Sequence, residues 1–536
     1  MSQLEVTIKV DIRATDAPRS ASEEVERLEP GHFRLVLEGA KELDIDGLEQ
    51  ALLQVNYPAL RDALSSHLEA SAKKKAENQS LLVDGGVVVA HPSAYQVDGE
   101  IGRFCFSYYD VNDPHGGTVF EGSGLFPRRQ GKQWYLTEGF HEQALFFGTS
   151  QQSYRKFQQR FNRWRRQEQH GTALTSLRDV SEREGLAVLR ALTETSETVL
   201  KQQGFDRQGQ PQAQSDWRAQ AQAVVYTKVN PSQRAGALVR VSQQMEELGL
   251  AQEHQRELAQ RAKREVFEVA AETVNLSVDD VGVKKQKAQR EQRKSRIPAL
   301  STPTAAAADS GGVKHPKVQN SVAYVEHQAQ HYTFTGRRVS EVLLFCLALL
   351  LNTGHVLKRL CFFTDGQKSL QQAILAAFSW HPAVTMLLDW YHLVKKCKEH
   401  LSTALKGRHL RNQHARAVLR LLWFGARDGA VKYVKAIPVD EIKDAQGIEK
   451  LLTYFERNRD SIGCYALRRQ LGLRNSSNRV ERSNYLVTAE RQKKNAMSWS
   501  AEGSYALTAL KAVVCNGYVA QWVTSRQIPL EFAQQA

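Results

Sequence analysis

One stretch, residues 360–401, constrains the fold of this chain more than any other. It opens with a wholly apolar run, Leu360–Phe363, which ends at Asp365-Gly366 after one threonine, and apolar residues then recur at helical spacing. A second apolar run, Val384–Leu388, ends at Asp389 and leads into another helical pattern. Short apolar runs that end at turn residues are typical of strands buried on both faces. The stretch therefore predicts a strand–helix–strand–helix unit with an acid at the carboxyl end of each strand.

Asp365-Gly366 also has a plainer interpretation, because turns favour both residues for their backbone dihedral angles. Open α/β sheets, however, place their chemistry at the carboxyl edge of the strands, and an unpaired buried carboxylate is costly. An acid held at that edge is therefore expected to bind a cation or to face water. We favour the functional interpretation, since Asp389 ends the next predicted strand in the same way.

Further strands are predicted upstream. Apolar residues alternate with polar ones over 274–278, which indicates a half-buried strand with Asp279 on its polar face. Asp280 is expected on the apolar face, so Asp279 is the better placed acid. Two more β-like runs, 321–326 and 331–335, precede an apolar helix and the strand at Leu360. This order of strands and helices resembles a ribonuclease-H-like core, in which parallel strands extend an antiparallel meander.

A chain of 536 residues is too long for one ordinary domain. The predicted fold class is multi-domain, with an α/β ribonuclease-H-like core whose mixed sheet has three antiparallel and then two parallel strands. Changes in pattern divide the chain into a mainly helical region (1–80), a small β-rich module (81–140), a helix-turn-helix-like DNA-binding module (141–204), a linker and long helix (205–270), the first part of the core (271–398), an all-α insertion (399–473) and the C-terminal helices of the core (474–536).

The helix-turn-helix-like module begins with a basic amphipathic segment. Its aromatic residues from Tyr154 to Trp164 fall on one helical face, and a short helix over 172–180 and a capping box over 181–184 predict two further helices. An ordinary helix with a solvated basic face is the alternative. The candidate DNA contacts here are Arg155, Lys156, Arg160, Arg163, Arg165 and Arg166.

The overall charge favours a polyanionic partner. The net charge is +14 and the isoelectric point is about 9.4, and nucleic acid suits a large globular core better than a membrane surface does. Six scattered cysteines without a Cys-x-x-Cys pair argue against a disulfide framework and a cysteine zinc site. We expect a cytoplasmic, nucleoid-associated protein, because no hydrophobic signal peptide opens the chain and no apolar run is long enough to cross a bilayer.

Three carboxylates, Asp279, Asp365 and Glu481, are predicted to converge if the core folds as described. Oxygen-only ligation suits Mg²⁺ or Mn²⁺, which also accept phosphate oxygens. Glu490 and Glu502 compete for the third position. Asp389 and His392 are auxiliary candidates for the site. The alternative for His392 is a structural role, because a histidine at a helix start is often only a hydrogen-bonding group. Basic residues near the third acid are candidate contacts to the DNA backbone: Arg479, Arg482, Arg491, Lys493 and Lys494.

These motifs together resemble bacterial insertion-sequence transposases of the DDE class, particularly the Mutator-like group. The matching pieces are Val278-Asp279, Phe363–Gly366, Asp389–His392 and Asn478–Asn484, in that order. The resemblance covers about residues 270–520. Relatives often carry a cysteine zinc ribbon near the N-terminus, and the β-rich module here has no such cysteines.

The resemblance implies a transposase that binds the terminal inverted repeats of its element, cuts DNA with Mg²⁺ or Mn²⁺, and joins the freed 3′ ends to target DNA. A homodimer or larger assembly is expected, because two DNA ends must be handled together. Two alternatives stay open. One is a ribonuclease-H-like nuclease or resolvase that does not join strands, and the other is a transposase-derived DNA-binding protein without activity.

Overall fold

The computed structural model describes residues 3–8, 33–38, 45–127, 134–149, 152–165, 167, 171–264, 267, 269–286, 316–494 and 497–534. The chain has a mixed α/β fold and divides into two compact units. The first comprises Met1–Ser181 with Val523–Ser525, and the second comprises Glu182–Trp522 with Arg526–Ala536. Within the described ranges, no helix has both the length and the apolar character to cross a membrane.

The first unit contains two antiparallel strands and a four-stranded sheet. The strands are β1 (Gln3–Ile8), β2 (Phe33–Glu38), β3 (Val87–Gly99), β4 (Gly102–Asn112), β5 (Thr118–Phe120) and β6 (Trp134–Leu136). The sheet has the order β5-β4-β3-β6, so β-strands occupy much of the predicted β-rich module. Helices Ile45–Ser80, Glu138–Gly148 and Tyr154–Trp164 belong to this unit.

The predicted trio of short helices in the DNA-binding module is wrong. Helix Tyr154–Trp164 forms as expected, but the next two predicted helices are one continuous helix, Leu174–Gln202. The supposed capping residue Ser181 is buried in its interior, where its hydroxyl donates to the Leu177 carbonyl oxygen, 2.9 Å away. Hydroxyls inside helices commonly bond back in this way, so the local motif did not mark a helix start.

A six-stranded sheet forms the centre of the second unit. Its strands are β7 (Thr273–Lys284), β8 (Lys317–His327), β9 (Gln330–Gly336), β10 (Arg359–Thr364), β11 (Val384–Leu388) and β12 (Ala533–Gln534), in the order β11-β10-β7-β8-β9-β12. β7, β8 and β9 are antiparallel neighbours, whereas β10 runs parallel to β7 and β11 parallel to β10. The prediction of three antiparallel and two parallel strands is confirmed, and β12 adds an antiparallel edge strand.

The connections explain why β10 is buried on both faces. Helix Val339–Asn352 leads into β10, helix Lys368–Phe378 joins β10 to β11, and helix Trp390–Ala404 follows β11. Apolar strand residues such as Phe362 and Phe363 are almost fully buried. The predicted strand–helix–strand–helix unit over residues 360–401 is therefore confirmed.

The chain has further helices. They are Trp217–Ala223, Pro231–Glu247, Gln252–Arg264, Gly407–Trp423, Arg427–Lys435, Ala445–Arg457, Tyr465–Gln470, Asn478–Asn484, Glu490–Gln492, Ala501–Cys515 and Val519–Ser525. The predicted long helix of the linker region is wrong: it is broken after Glu247, where Gly249 takes a positive φ of 66°. All six cysteines are free thiols.

Candidate active site

The sheet register brings two predicted acids to the same level. Phe363 of β10 is the parallel partner of Ser277 of β7, so Asp365 and Asp279, two residues further along, both lie at the carboxyl edge of the sheet. The burial of Asp279 and the negative charges of Glu481 and Asp365 raise the pKa of Asp279 to about 6. Asp365 and Glu481 are thus both near enough to Asp279 to influence its charge.

Asp365 belongs to a turn, in which its side chain accepts one hydrogen bond. One carboxylate oxygen, Oδ1, accepts a hydrogen bond from the Gln367 amide at 2.8 Å, and the side chain is half-buried. Gly366 has a φ of 84°, and a Cβ at this position would lie 2.8 Å from Asn458 Oδ1. The turn therefore requires glycine, and it aims Asp365 at the sheet edge.

Glu481 reaches the site through His392. Helix Asn478–Asn484 carries Glu481, whose Oε1 lies 3.3 Å from His392 Nε2. The other ring nitrogen, Nδ1, lies 2.8 Å from Oδ2 of Asp389. Burial alone would lower the pKa of His392, but hydrogen bonds to the two carboxylates and their charges raise it to about 10. The two carboxylates therefore favour the protonated form of His392, in which each ring nitrogen can donate a hydrogen bond to an acid.

Asp389 is fully buried, and four donors surround its carboxylate. Besides His392, it accepts hydrogen bonds from the Tyr391 amide at 3.1 Å, the Ser477 amide at 3.1 Å and the Ser477 hydroxyl at 2.7 Å. Ser477 immediately precedes the helix that bears Glu481. Asp389 consequently ties the start of that helix to the start of helix Trp390–Ala404, and it is an orienting group rather than an exposed ligand.

Two further residues at the site were not given a role by the sequence. The amide Nδ2 of Asn484, which is almost fully buried, donates to Asp279 Oδ2 at 2.6 Å, one helical turn beyond Glu481. Asp280, which we expected on an apolar face, is exposed, and its Oδ1 accepts a hydrogen bond from Ser321 at 2.6 Å. The spacing of Glu481 and Asn484 could have indicated a shared helical face, since residues three apart are neighbours on a helix.

A cleft of about 310 Å³ opens beside these acids. Asp279, Asp280 and Asp365 line it, and so do Arg337 and Arg338, which follow β9. Glu481 is not among the lining residues. Asp279 is connected to the Glu481 helix through Asn484.

The donor chemistry of this edge suits a hard divalent cation, since the candidate ligands are carboxylate oxygens. The pKa of Asp279 is raised by its burial and then by the charge of Glu481, and a bound cation would oppose both effects. In the conformation described here, however, no three His, Cys, Asp or Glu side chains of the described residues are close enough together to hold a metal ion. Any metal site would thus need the carboxylates to draw together.

The other two glutamates considered for the third position have different surroundings. Glu490 is buried, and its Oε2 lies 3.7 Å from Lys511 Nζ. Glu502 is exposed in the first turn of helix Ala501–Cys515, where a carboxylate favours the helix dipole. Of the three candidates, Glu481 is the one whose carboxylate contacts His392.

The basic residues near Glu481 divide into exposed and engaged groups. Arg482, Lys493 and Lys494 are exposed. Arg479 is half-buried, and its Nη1 lies 2.7 Å from Oε1 of the buried Glu326 on β8, which also binds Arg474. Arg491 is buried, with its guanidinium over the Trp499 ring, and its role as a DNA contact stays a prediction.

The basic residues of helix Tyr154–Trp164 divide in the same manner. Arg155, Lys156, Arg160 and Arg163 are exposed, and Phe157 and Phe161 are buried on the opposite side. Arg165 is fully buried, and its Nη2 lies 3.3 Å from Asp98 Oδ1. A guanidinium in that position is not available to a DNA phosphate in this conformation, and the role of Arg165 in DNA binding stays a prediction. Arg166 lies outside the described residues.

Comparison of the chain with protein-family models, with curated proteins and with solved structures gives no match. A function for the chain must therefore be inferred from its own residues.

Proposed function

We propose that this protein is a DNA transposase of the DDE class, with a ribonuclease-H-like core that cuts DNA at the ends of a mobile element and joins them to target DNA. The observation that carries the proposal is the pairing of β7 with β10, which puts Asp279 and Asp365 at the carboxyl edge of one sheet, together with the Asn484 bond from the Glu481 helix to Asp279. The strand order β11-β10-β7-β8-β9, with three antiparallel and two parallel strands, supports such a core.

Asp279, Asp365 and Glu481 would hold the divalent cations, Mg²⁺ or Mn²⁺, on which the reaction depends. Two such ions would activate the attacking oxygen and stabilise the leaving 3′ oxygen of the phosphodiester. Gathering these carboxylates from three elements carries an electrostatic cost, so we expect the site to tighten when cations and DNA bind.

The other residues of the site would position these acids. His392 holds a proton at each ring nitrogen and directs Glu481, while Asp389 orients His392 and anchors the helix that carries Glu481. Asn484 holds the Asp279 carboxylate from the same helix. Exposed cations at Arg482, Lys493 and Lys494 would contact the DNA backbone beside the reacting phosphate.

DNA recognition away from this site is assigned to the exposed basic face of helix Tyr154–Trp164. Four cations point away from its buried aromatic residues: Arg155, Lys156, Arg160 and Arg163. Such a face contacts phosphates and gives affinity without sequence specificity. The net charge of +14 is consistent with a nucleic-acid partner.

A strand-transfer assay tests the proposal. Purified protein is incubated with Mg²⁺ or Mn²⁺, labelled DNA carrying the ends of the element from which the gene comes, and a supercoiled target plasmid. A transposase gives labelled DNA covalently joined to the plasmid, and the product disappears with EDTA or in the Asp365→Asn variant. Nicked DNA without joined product would instead identify a nuclease, and binding without either product would identify an inactive DNA-binding protein.

A further inference from the structure

The cleft beside the acids is lined by groups of opposite charge. Asp279, Asp280 and Asp365 are among its lining residues, and so are Arg337 and Arg338. Its volume of about 310 Å³ is large enough to admit solvent or a ligand group between the lining side chains. Among the described residues, no carboxylate lies within 4.0 Å of either guanidinium as an ion pair.

The loop that carries the two arginines is held firmly. The Arg337 amide donates to Glu341 Oε2 at 2.7 Å, and Glu341 lies in the first turn of the following helix. A Cβ at Gly336 would lie 2.8 Å from Val342 Cγ2, so the loop packs closely against that helix. Arg338 is exposed, and Arg337 is half-buried. The backbone is thus rigid while both side chains are available to a ligand.

We propose that Arg337 and Arg338 form a phosphate-binding subsite for the DNA strand that lies along this sheet edge. The inference rests on the proposed function and extends it to residues outside the acidic cluster. Arginine presents a planar set of donors that matches phosphate oxygens, and it keeps its charge at any physiological pH. A DNA strand carries regularly spaced phosphates, so one phosphate can face the acids with their cations while a neighbouring phosphate meets the arginines.

The contacts of the two arginines distinguish phosphate binding from simple neutralisation of the nearby acids. Arginines that served only to balance Asp280 and Asp365 would be expected to pair with them directly, as Arg479 pairs with Glu326 at 2.7 Å. Arg338 makes no capping hydrogen bond through its side chain at the start of helix Val339–Asn352. Replacing it therefore removes a charge from the cleft with little effect on the helix.

Salt-dependent DNA binding by the full chain tests the subsite. Affinity for a fluorescein-labelled duplex is measured by anisotropy over a range of salt, with Ca²⁺ in place of Mg²⁺. Each lost phosphate contact reduces the slope of log K against log salt by about 0.9, so Arg337→Ala/Arg338→Ala should reduce it by about 1.8. Arg337→Lys/Arg338→Lys keeps both charges and should keep most of the slope.

A matched control removes the same charge elsewhere in the unit. Arg207 and Arg218 are exposed, and Arg218 binds Gln210, which contacts Ala376 near the far end of helix Lys368–Phe378. Arg207→Ala/Arg218→Ala should leave the slope unchanged. An unchanged slope in the Arg337/Arg338 alanine pair, or an equal loss in the control pair, would overturn the subsite.

Cleavage assays on the same proteins separate the two proposals. If the wild-type protein cuts and joins DNA while the alanine pair binds and reacts like it, the subsite fails and the proposed function stands. If the wild-type protein never cuts DNA, yet the alanine pair alone loses salt slope, the proposed function fails and the subsite stands. Competition by inorganic phosphate as strong as by DNA phosphates would overturn a subsite for a DNA strand.

Discussion

Two aspartates, Asp98 in the first unit and Asp279 in the second, have opposite electrostatic surroundings. Asp98 of the first unit is fully buried and is matched by two arginines: Arg103 Nη2 lies 2.9 Å from it and Arg165 Nη2 lies 3.3 Å from it. The Thr172 hydroxyl adds a further hydrogen bond at 3.1 Å. Asp279 of the second unit accepts hydrogen bonds from the Asn484 amide at 2.6 Å and from the Asp280 backbone amide at 2.8 Å, and it has negative neighbours around it.

The two carboxylates differ in the balance of charge around them. Around Asp98 two arginines, Arg103 and Arg165, face one carboxylate. Burial lowers the pKa of Arg165 to about 10, which is still above neutral pH, so Arg165 and Asp98 form a charged pair. Around Asp279 the negative charges outnumber the cations, and the pKa of Asp279 rises to about 6 because of its burial and Glu481. A saturated centre stabilises structure, whereas a centre with excess negative charge is suited to bind a cation.

The largest effect on activity is expected from substitution of Asp365, one of the three candidate metal-binding acids. Asp365→Asn should lower DNA cleavage and joining by about 10³-fold or more, because it removes a carboxylate that would hold the cations. The midpoint of thermal unfolding should stay equal or rise, since the substitution removes negative charge from a repulsive cluster. Activity is measured by the strand-transfer assay, and stability by thermal melting.

Asp216→Asn is the matched control for this substitution. Asp216 is exposed and makes no side-chain capping hydrogen bond, so its loss should leave activity unchanged. A large loss of stability in Asp365→Asn would contradict the comparison, since Asp365 would then resemble Asp98.

Substitution of Asp98 should have the opposite effect, a loss of stability. Asp98→Asn leaves the buried Arg165 with a weaker partner and should lower the free energy of unfolding of the first unit by about 3–5 kcal/mol. Arg165→Ala should cost a similar amount. Urea unfolding checks both, with the exposed Asp84→Asn as a control expected to stay within about 0.5 kcal/mol of the wild type.

An intermediate effect is expected from the donor that holds Asp279. Asn484→Ala removes the hydrogen bond of 2.6 Å to Asp279 Oδ2 and should reduce metal affinity or activity by about 10–100-fold. Raising the Mn²⁺ concentration should recover part of the activity if the loss lies in metal binding. No recovery together with a large loss of stability would show that Asn484 serves only the fold.

The smallest effect is expected from the exposed basic face of helix Tyr154–Trp164. Arg160→Ala should change the free energy of unfolding by no more than about 0.5 kcal/mol and reduce the slope of log K against log salt by about 0.9. Anisotropy titrations measure the slope. An unchanged slope would remove Arg160 from the DNA contacts and leave this face as ordinary solvated surface.

The core of the second unit could be predicted because its signals are local. Apolar runs and period-two alternation marked β7 to β11, and Asp365-Gly366 marked the turn that follows β10. The continuous helix Leu174–Gln202 was missed because its interior is stabilised by partners distant in sequence: Glu184 binds Trp522 Nε1 at 3.2 Å and also Arg526. A capping-box pattern cannot reveal such contacts.

Tertiary contacts also limit what the sequence can predict about the candidate site. The types and order of Asp279, Asp365 and Glu481 could be recognised, and so could the spacing of Asp389 and His392. The pairing of Arg479 with Glu326 and the burial of Arg165 depend on tertiary contacts that the sequence pattern did not reveal. For Arg165 one signal existed: it lies four residues after the buried Phe161, on the same helical face.

The central claim is that Asp279, Asp365 and Glu481 together hold divalent cations at one sheet edge. Its most direct test is a crystal structure of the protein with DNA and Mn²⁺, with the ions located by their anomalous scattering. We predict a manganese peak bound by oxygens of Asp279 and Asp365 at about 2.1 Å, with Glu481 drawn towards the same edge. A map with no peak there, or with manganese held by other residues, would contradict the claim.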